Sequence, residues 1–183
     1  MKAIPFHIRE ATPQDAPQIA LVHIKTWQQA YRHIFPADKL AALGQDHATR
    51  TERWQANINN PDHLPAFFVA ENPDGEIVGI AAAGKQLKET YPFDAEIFLI
   101  YILPNYQGKG IGRGLLSATV RKLQQLGFSS LILWVLAKNT PGRRFYGKIG
   151  GRLVGEDNYI RWDQNHQIVA YGWDSLDAVL DHL

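Results

Sequence analysis

Apolar residues recur at helical spacing through Ala16, Ile19, Ala20, His23, Trp27, Ala30, Tyr31 and Ile34, which predicts a long amphipathic helix. Thr12-Pro13-Gln14-Asp15 supplies its start. Thr12 caps, Pro13 takes the first helical position, and Asp15 reaches back as the partner in a capping box. Pro36 stops the run, and Phe6 to Arg9 reads as a short strand before it. A weaker helix is predicted over about Asp46 to Ile58, and Pro61 and Pro65 mark a loop.

The pattern then changes period. Ala66 to Glu71 and Glu76 to Ala82 read as two strands, and Asn72-Pro73-Asp74-Gly75 carries the residues of a tight turn between them. A polar loop covers about Gly84 to Asp94. Glu96 to Leu103 is nearly all apolar, short, and rich in β-branched and aromatic residues, so it is expected to be a strand buried on both faces. Pro104 ends it. A helix follows from about Gly110 to Leu126, with Ile111, Leu115, Thr119, Leu123 and Leu126 on one stripe and Gly127 as its C-terminal cap. Leu131 to Leu136 is a second buried strand, and Pro141 to Ile149 a short helix broken by Gly150-Gly151. Arg152 to Gly155 and Gln167 to Trp173 are the last strands. This order predicts one α+β domain over residues 1–183, with helices packed on a mixed sheet.

Composition narrows the chemistry. The 183 residues fit one domain of ordinary size. The absence of cysteine excludes a disulfide framework, a Cys-ligated zinc and a cysteine nucleophile. No apolar run approaches a membrane span, and the first seven residues lack a signal-peptide core, so a cytoplasmic location is expected. No His, Asp and Glu residues cluster at metal-ligand spacing, so no metal is expected. The net charge of +1 is uninformative, but its distribution is not. From Ile97 to Gly155 there is no Asp or Glu, while nine of the 19 Lys and Arg residues lie there. That suggests an anionic ligand along this segment.

The glycines at 108, 110 and 112 stand where the fourth strand passes into a helix. They let backbone N–H groups approach a ligand, the helix N-terminus adds unpaired donors, and Lys109 and Arg113 add charge. These are the parts of a pyrophosphate cradle, although a tight turn with close helix–strand packing would use the same glycines. The pattern is neither a dinucleotide-binding fingerprint, since residue 113 is Arg, nor a Walker loop.

Gln107-Gly108-Lys109-Gly110-Ile111-Gly112 resembles the Arg/Gln-x-x-Gly-x-Gly/Ala signature of GNAT acetyltransferases. Leu99 to Tyr106 is similar to the fourth strand of that family, and Asn139 to Gly151 to its Asn…Phe-Tyr…Gly segment. Pro141, Gly142 and Gly151 depart from the usual residues of that segment. The resemblance runs from Ile8 to about Trp173. It implies a GNAT-like α+β fold whose central sheet splays between the fourth and fifth strands. It also implies acetyl-CoA as acetyl donor, its arm paired with the backbone of Ile100, Tyr101 and Ile102. Its pyrophosphate would be held by Gln107, Gly108, Lys109, Gly110, Ile111, Gly112 and Arg113.

Asn139 would bond the same arm, or else cap the helix that follows it. A backbone N–H near Ile102 would stabilise the oxyanion. Tyr146 is implied as the acid for the CoA thiolate, because a phenol stays protonated at neutral pH. Its other reading is an aromatic packed at helical spacing. Glu96 is the candidate base, on the strand face it shares with Phe98, Ile100 and Ile102; the alternative is an exposed strand-end residue paired with a cation. Trp27 and Tyr31, with His33, would shape the acceptor pocket by cation–π attraction, or would be core.

The implied activity is transfer of acetyl to a primary amine in a ternary complex. The acceptor would be a small-molecule amine, polyamine-like among the options, or a peptide or protein amine. The competing class is a non-catalytic acyl-CoA-binding module. No nucleic-acid motif accompanies the basic segment, so no nucleic-acid or membrane partner is expected. Leu176, Val179, Leu180 and Leu183 would pack either in a homodimer interface or on their own domain.

Overall fold

The computed structural model describes residues 5–60, 62, 64–88 and 90–183. Pro61, one of the prolines expected to mark a loop, lies outside the described residues, as do the first four residues and Glu89 of the polar loop. The strands are β1 (His7–Glu10), β2 (Ala66–Glu71), β3 (Ile77–Lys85), β4 (Ala95–Ile102), β5 (Leu131–Leu136), β6 (Arg152–Arg161) and β7 (Gln164–Trp173). The helices are α1 (Ala16–Ala30), α2 (Ala37–Ala42), α3 (His47–Ile58), α4 (Ile111–Gln125), α5 (Thr140–Lys148) and α6 (Leu176–Asp181). The seven strands form a mixed sheet in the order β1-β2-β3-β4-β5-β7-β6. β4 and β5 are parallel, paired at Ala95–Leu131, Glu96–Ile132 and Ile97–Leu133. The pairs β1–β2, β2–β3, β5–β7 and β6–β7 are antiparallel. The chain divides into two compact units, one of the described residues up to Ala83 with Leu99–Thr119, the other of Gly84–Phe98 with Val120–Leu183.

In the first unit the capping box forms as expected. The Asp15 carboxylate accepts from the Thr12 N–H at 2.7 Å and from its hydroxyl at 3.0 Å. Arg9 donates both guanidinium NH groups to the same carboxylate, which ties β1 to the start of α1. One turn of 3-10 helix, Pro13–Asp15, precedes α1. α1 ends at Ala30 rather than running on toward Pro36, so Tyr31 is its C-cap and His33 lies in the turn beyond it. A proline disfavours helical backbone before it, and the chain leaves the helix a turn early. β3 is buried from Ile77 to Gly84, and small residues make that possible. A Cβ on Gly79 would lie 3.0 Å from Leu115 and 3.2 Å from Ile111, so its absence lets α4 settle on this strand. Ile111 and Leu115 are buried there with Ala70, Val78 and Ala81. The Asn72 side chain accepts from the Asp74 and Glu76 amides and so closes the β2–β3 turn.

In the second unit β5 is buried along almost its whole length, and α5 begins at the Asn139 cap. Gly127 has φ +87° and ends α4, with the Phe128 amide bonded back to the Leu123 carbonyl. Leu126, expected on the buried stripe, is 47% exposed because it lies beyond the last helical turn. β6 and β7 run well past their expected ends and join through Trp162 and Asp163, both left-handed, at φ 51° and 58°. The polar outer half of this hairpin shows no hydrophobic alternation facing a core, and Ile160 is 74% exposed. Leu176 and Val179 of α6 are buried within this unit, so those two belong to its core rather than to an exposed interface.

Candidate active site

Most of the candidate donor-site residues fall in the first unit. Beyond Ile102 the chain makes one turn of 3-10 helix, Pro104–Tyr106, and enters the glycine loop. The loop is braced from below. The Gln107 side-chain amide donates to the Ile102 carbonyl at 3.0 Å, and the Tyr106 hydroxyl accepts from Asn72 at 3.1 Å. Gln107 therefore acts on the loop itself and occupies a carbonyl that the resemblance assigned to the ligand arm. Gly108 and Gly110 are left-handed, at φ +72° and +87°, and Lys109 between them is not. Alternating handedness of this kind turns successive amides to one concave side. A Cβ at either glycine would meet no atom within 4 Å, so conformation and not crowding requires glycine here. Gly110 O accepts from the Gly114 amide and opens α4, while Ile111 is buried at 1% exposure and anchors the loop. The first-turn amides of α4 have no intrahelical acceptors, and the helix dipole adds to their attraction for an anion. The Lys109 ammonium lies 5.3 Å from the centre of the Tyr106 ring. The residues present fit a diphosphate.

The same unit gathers an aromatic cluster on α1. Trp27 donates its indole N–H to the Tyr101 hydroxyl at 2.9 Å. The rings of Trp27 and Tyr31 are 4.9 Å apart, edge to face, and Trp27 stacks on Phe35 at 5.6 Å. Tyr31 is buried and belongs to the packed core, whereas Trp27 is only half-buried. His23 completes the cluster, 5.3 Å from the Tyr101 ring and 5.8 Å from that of Trp54. Helical spacing showed Trp27 and Tyr31 on one stripe, but the bond to Tyr101, 74 residues away, carries no local signal.

The second unit holds Glu96, Asn139 and Tyr146. Glu96 is 8% exposed, so it is not a solvated strand end. Its carboxylate accepts from the Leu87 amide at 3.1 Å. Burial pushes its pKa up, and the Leu87 amide and the Lys88 charge pull it back only in part, so it stands above the ordinary carboxylate range. Asn139 caps α5, its side-chain oxygen accepting from Gly142 at 3.1 Å. That engages the acceptor end of the amide. Tyr146 is half-buried, its ring 5.5 Å from Phe145 and 6.0 Å from Tyr171. Tyr171 pairs with Leu133, and Glu96 pairs with Ile132, so the two sets of side chains point to opposite faces of the sheet. Glu96 and Tyr146 thus approach the strands from opposite sides.

Two features of this unit were not legible in the sequence. Asp94 accepts from the amides and hydroxyls of both Ser129 and Ser130, at 2.8 to 2.9 Å, and fixes the entry to β5. Lys88 pairs with Asp157 at 2.5 Å and stands 5.7 Å from the centre of the Trp134 ring. Among the described residues no group of three His, Asp or Glu could hold a metal, and no helix is long and apolar enough to cross a membrane.

A mixed sheet with a parallel β4–β5 pair, and a glycine loop opening α4, define an acyl-CoA-dependent transferase architecture, and comparison with known proteins agrees. The sequence profile of the acetyltransferase (GNAT) family matches residues 24–151, and the chain belongs to that family. It is 33% identical over 172 residues to the uncharacterized N-acetyltransferase YuaI of Bacillus subtilis (strain 168), covering 94% of this chain and 95% of that protein. It is 22% identical over 152 residues to a spermidine N(1)-acetyltransferase of Thermoplasma acidophilum, covering 83% and 91% of the two chains. Its fold is similar to the crystal structure of the PaiA N-acetyltransferase of T. acidophilum in complex with coenzyme A, with TM-score 0.73 and 20% identity. That likeness covers 93% of this chain and all of the other.

Proposed function

We propose that residues 1–183 act as one catalytic domain that transfers the acetyl group of acetyl-CoA to a primary amine by direct attack in a ternary complex. The observation that carries this reading is the loop of two left-handed glycines at the N-terminus of α4, flanked by Lys109 and Arg113. Gly108, Lys109, Gly110, Ile111, Gly112 and Arg113 hold the pyrophosphate, and Gln107 braces them from the Ile102 carbonyl. Ile100, Tyr101 and the Ile102 amide face the pantetheine arm as an added strand would. The cap on α5 uses only the Asn139 oxygen, so its amide N–H groups serve the same arm.

The donor supplies a thioester carbonyl. The attacking amine must first lose a proton, because an alkylammonium of pKa about 10.4 has no lone pair. Glu96, its pKa raised by burial, takes that proton directly or through water. The C–N bond forms and the C–S bond breaks, a backbone N–H near Ile102 stabilises the oxyanion, and Tyr146 returns a proton to the thiolate.

The acceptor is a small-molecule amine, with a peptide amine as the alternative. Support for a cationic small molecule comes from the acidic excess outside residues 97–155 and from the similarity to a spermidine acetyltransferase. Free thiol released from acetyl-CoA in the presence of an amine panel tests the proposal. Binding of acetyl-CoA, seen as a raised melting temperature, without amine-dependent thiol would instead mark an acyl-CoA-binding module.

A further inference from the structure

The Lys88–Asp157 pair sits on a particular face of the sheet. Paired residues of neighbouring strands project to the same side, and so do residues two apart on one strand. Glu96 pairs with Ile132, two residues before Trp134. Trp134 pairs with Ala170, and Ile168, two residues before Ala170, pairs with Asp157. Glu96, Ile132, Trp134, Ala170, Ile168 and Asp157 therefore share one face. Tyr91 and Phe93, which precede β4, lie over it. Phe93 covers Gly172, where a Cβ would collide with its ring. Tyr91 covers Gly155 in the same manner and meets Trp134 edge to face at 5.6 Å.

The result is a seat for a cation beside the candidate base. Its wall is the Trp134 ring, its floor the Asp157 carboxylate, and its present occupant the Lys88 ammonium, an amine of the same chain. The residue before Lys88 donates its amide to Glu96, so seat and carboxylate lie no further apart than one backbone step and one lysine side chain can reach. Lys88 and Asp157 are 54% and 41% exposed, so the pair is weakly held and another cation exchanges with it. Nothing in the acetyl transfer requires Lys88 or Asp157.

We propose that Asp157 and Trp134 bind a second ammonium of the acceptor, making the preferred substrate class linear diamines and polyamines, with Lys88 holding the seat until the substrate displaces it. This rests on the reading of Glu96 as the base in an amine acetyltransferase. The diamine presents one amine to Glu96 and leaves the other, still protonated, on Asp157. A monoamine can use only the first contact.

The test compares kcat/KM for n-butylamine with that for 1,4-diaminobutane and spermidine, in the full-length protein and in Asp157→Asn and Lys88→Met, with melting temperatures as a check on folding. The wild type is expected to favour 1,4-diaminobutane or spermidine by about tenfold or more, Asp157→Asn to abolish most of that preference, and Lys88→Met to keep or increase it. Asp157→Asn keeps the shape of the side chain and an oxygen to accept from the Asn158 amide, so a folded variant is expected. Equal rates for mono- and diamines in the wild type would overturn the proposal, as would an Asp157→Asn variant with the wild-type preference. Acetylation of Lys88 itself, read by mass spectrometry, would make Lys88 an acceptor and would equally overturn it. Absence of amine-dependent thiol release with every amine tested, in a protein that binds acetyl-CoA, would defeat the proposed function instead, and the two failures are thereby distinct.

Discussion

Replacing Glu96 by glutamine tests the base with little change of shape. The carboxylate is 8% exposed and accepts the Leu87 amide at 3.1 Å, a bond the glutamine oxygen can also accept. What the substitution removes is the charge and the ability to take a proton. A positioned general base contributes roughly 10²–10⁴-fold, so kcat is expected to fall by roughly that factor while acetyl-CoA binding persists. The pH profile adds a second signature. Burial raises the pKa of Glu96 against the opposing pull of Leu87 and Lys88. The wild type therefore loses activity as pH falls through a value above the ordinary carboxylate range, and the glutamine variant lacks that acid limb.

The stability effect has a definite sign. A carboxyl group whose folded pKa is raised contributes stability that is fully present below its unfolded pKa and lost as pH rises through the folded one. At neutral pH the buried charge is a liability, so Glu96→Gln is expected to melt no lower than the wild type there. Thiol release between about pH 5 and pH 9, with melting curves at the same points, measures both effects. A variant within about threefold of the wild type in kcat, with the acid limb intact, would refute the assignment.

Gly110→Ala places a Cβ in open space but at φ +87°, and a left-handed alanine costs about 1–2 kcal/mol, so the melting temperature should fall by a few degrees and the acetyl-CoA Kd should rise by calorimetry. Tyr146→Phe should lower kcat by roughly 10²-fold or more with little change in KM, as expected for an acid that acts on the leaving thiolate. Asp94→Ala leaves the Ser129 and Ser130 amides without their acceptor and is expected to cost about 2–3 kcal/mol in urea unfolding. Burial raises the Asp94 pKa, but bonds from Ser130 and Ser129 lower it by more. Its contribution is accordingly present above the ordinary carboxylate pKa and lost as pH falls through the depressed value. Asp163→Gly relieves φ 58° in the β6–β7 turn and should stabilise by about 0.5–1 kcal/mol, read as a higher melting temperature.

The sequence by itself determined the local structure and the donor chemistry. The capping box at Thr12 and Asp15, the Asn72 turn, the apolar run of β5 and the glycine C-cap at 127 each depend on residues a few positions apart, and their signals are local. The glycine loop is of the same kind, since left-handed backbone at 108 and 110 requires glycine at those positions whatever packs around them. Other elements escaped because their cause is distant. The outer half of the β6–β7 hairpin has no hydrophobic alternation, and Trp162, the first of its two left-handed turn residues, is not one that favours positive φ. Tertiary structure alone decided that Glu96 is buried, through a segment folded back over its face. It alone joined Trp27 to Tyr101 and set Lys88 on Asp157 and Trp134. Those contacts arise from strand register, which brings together residues dozens of positions apart and leaves no mark on the local pattern of either.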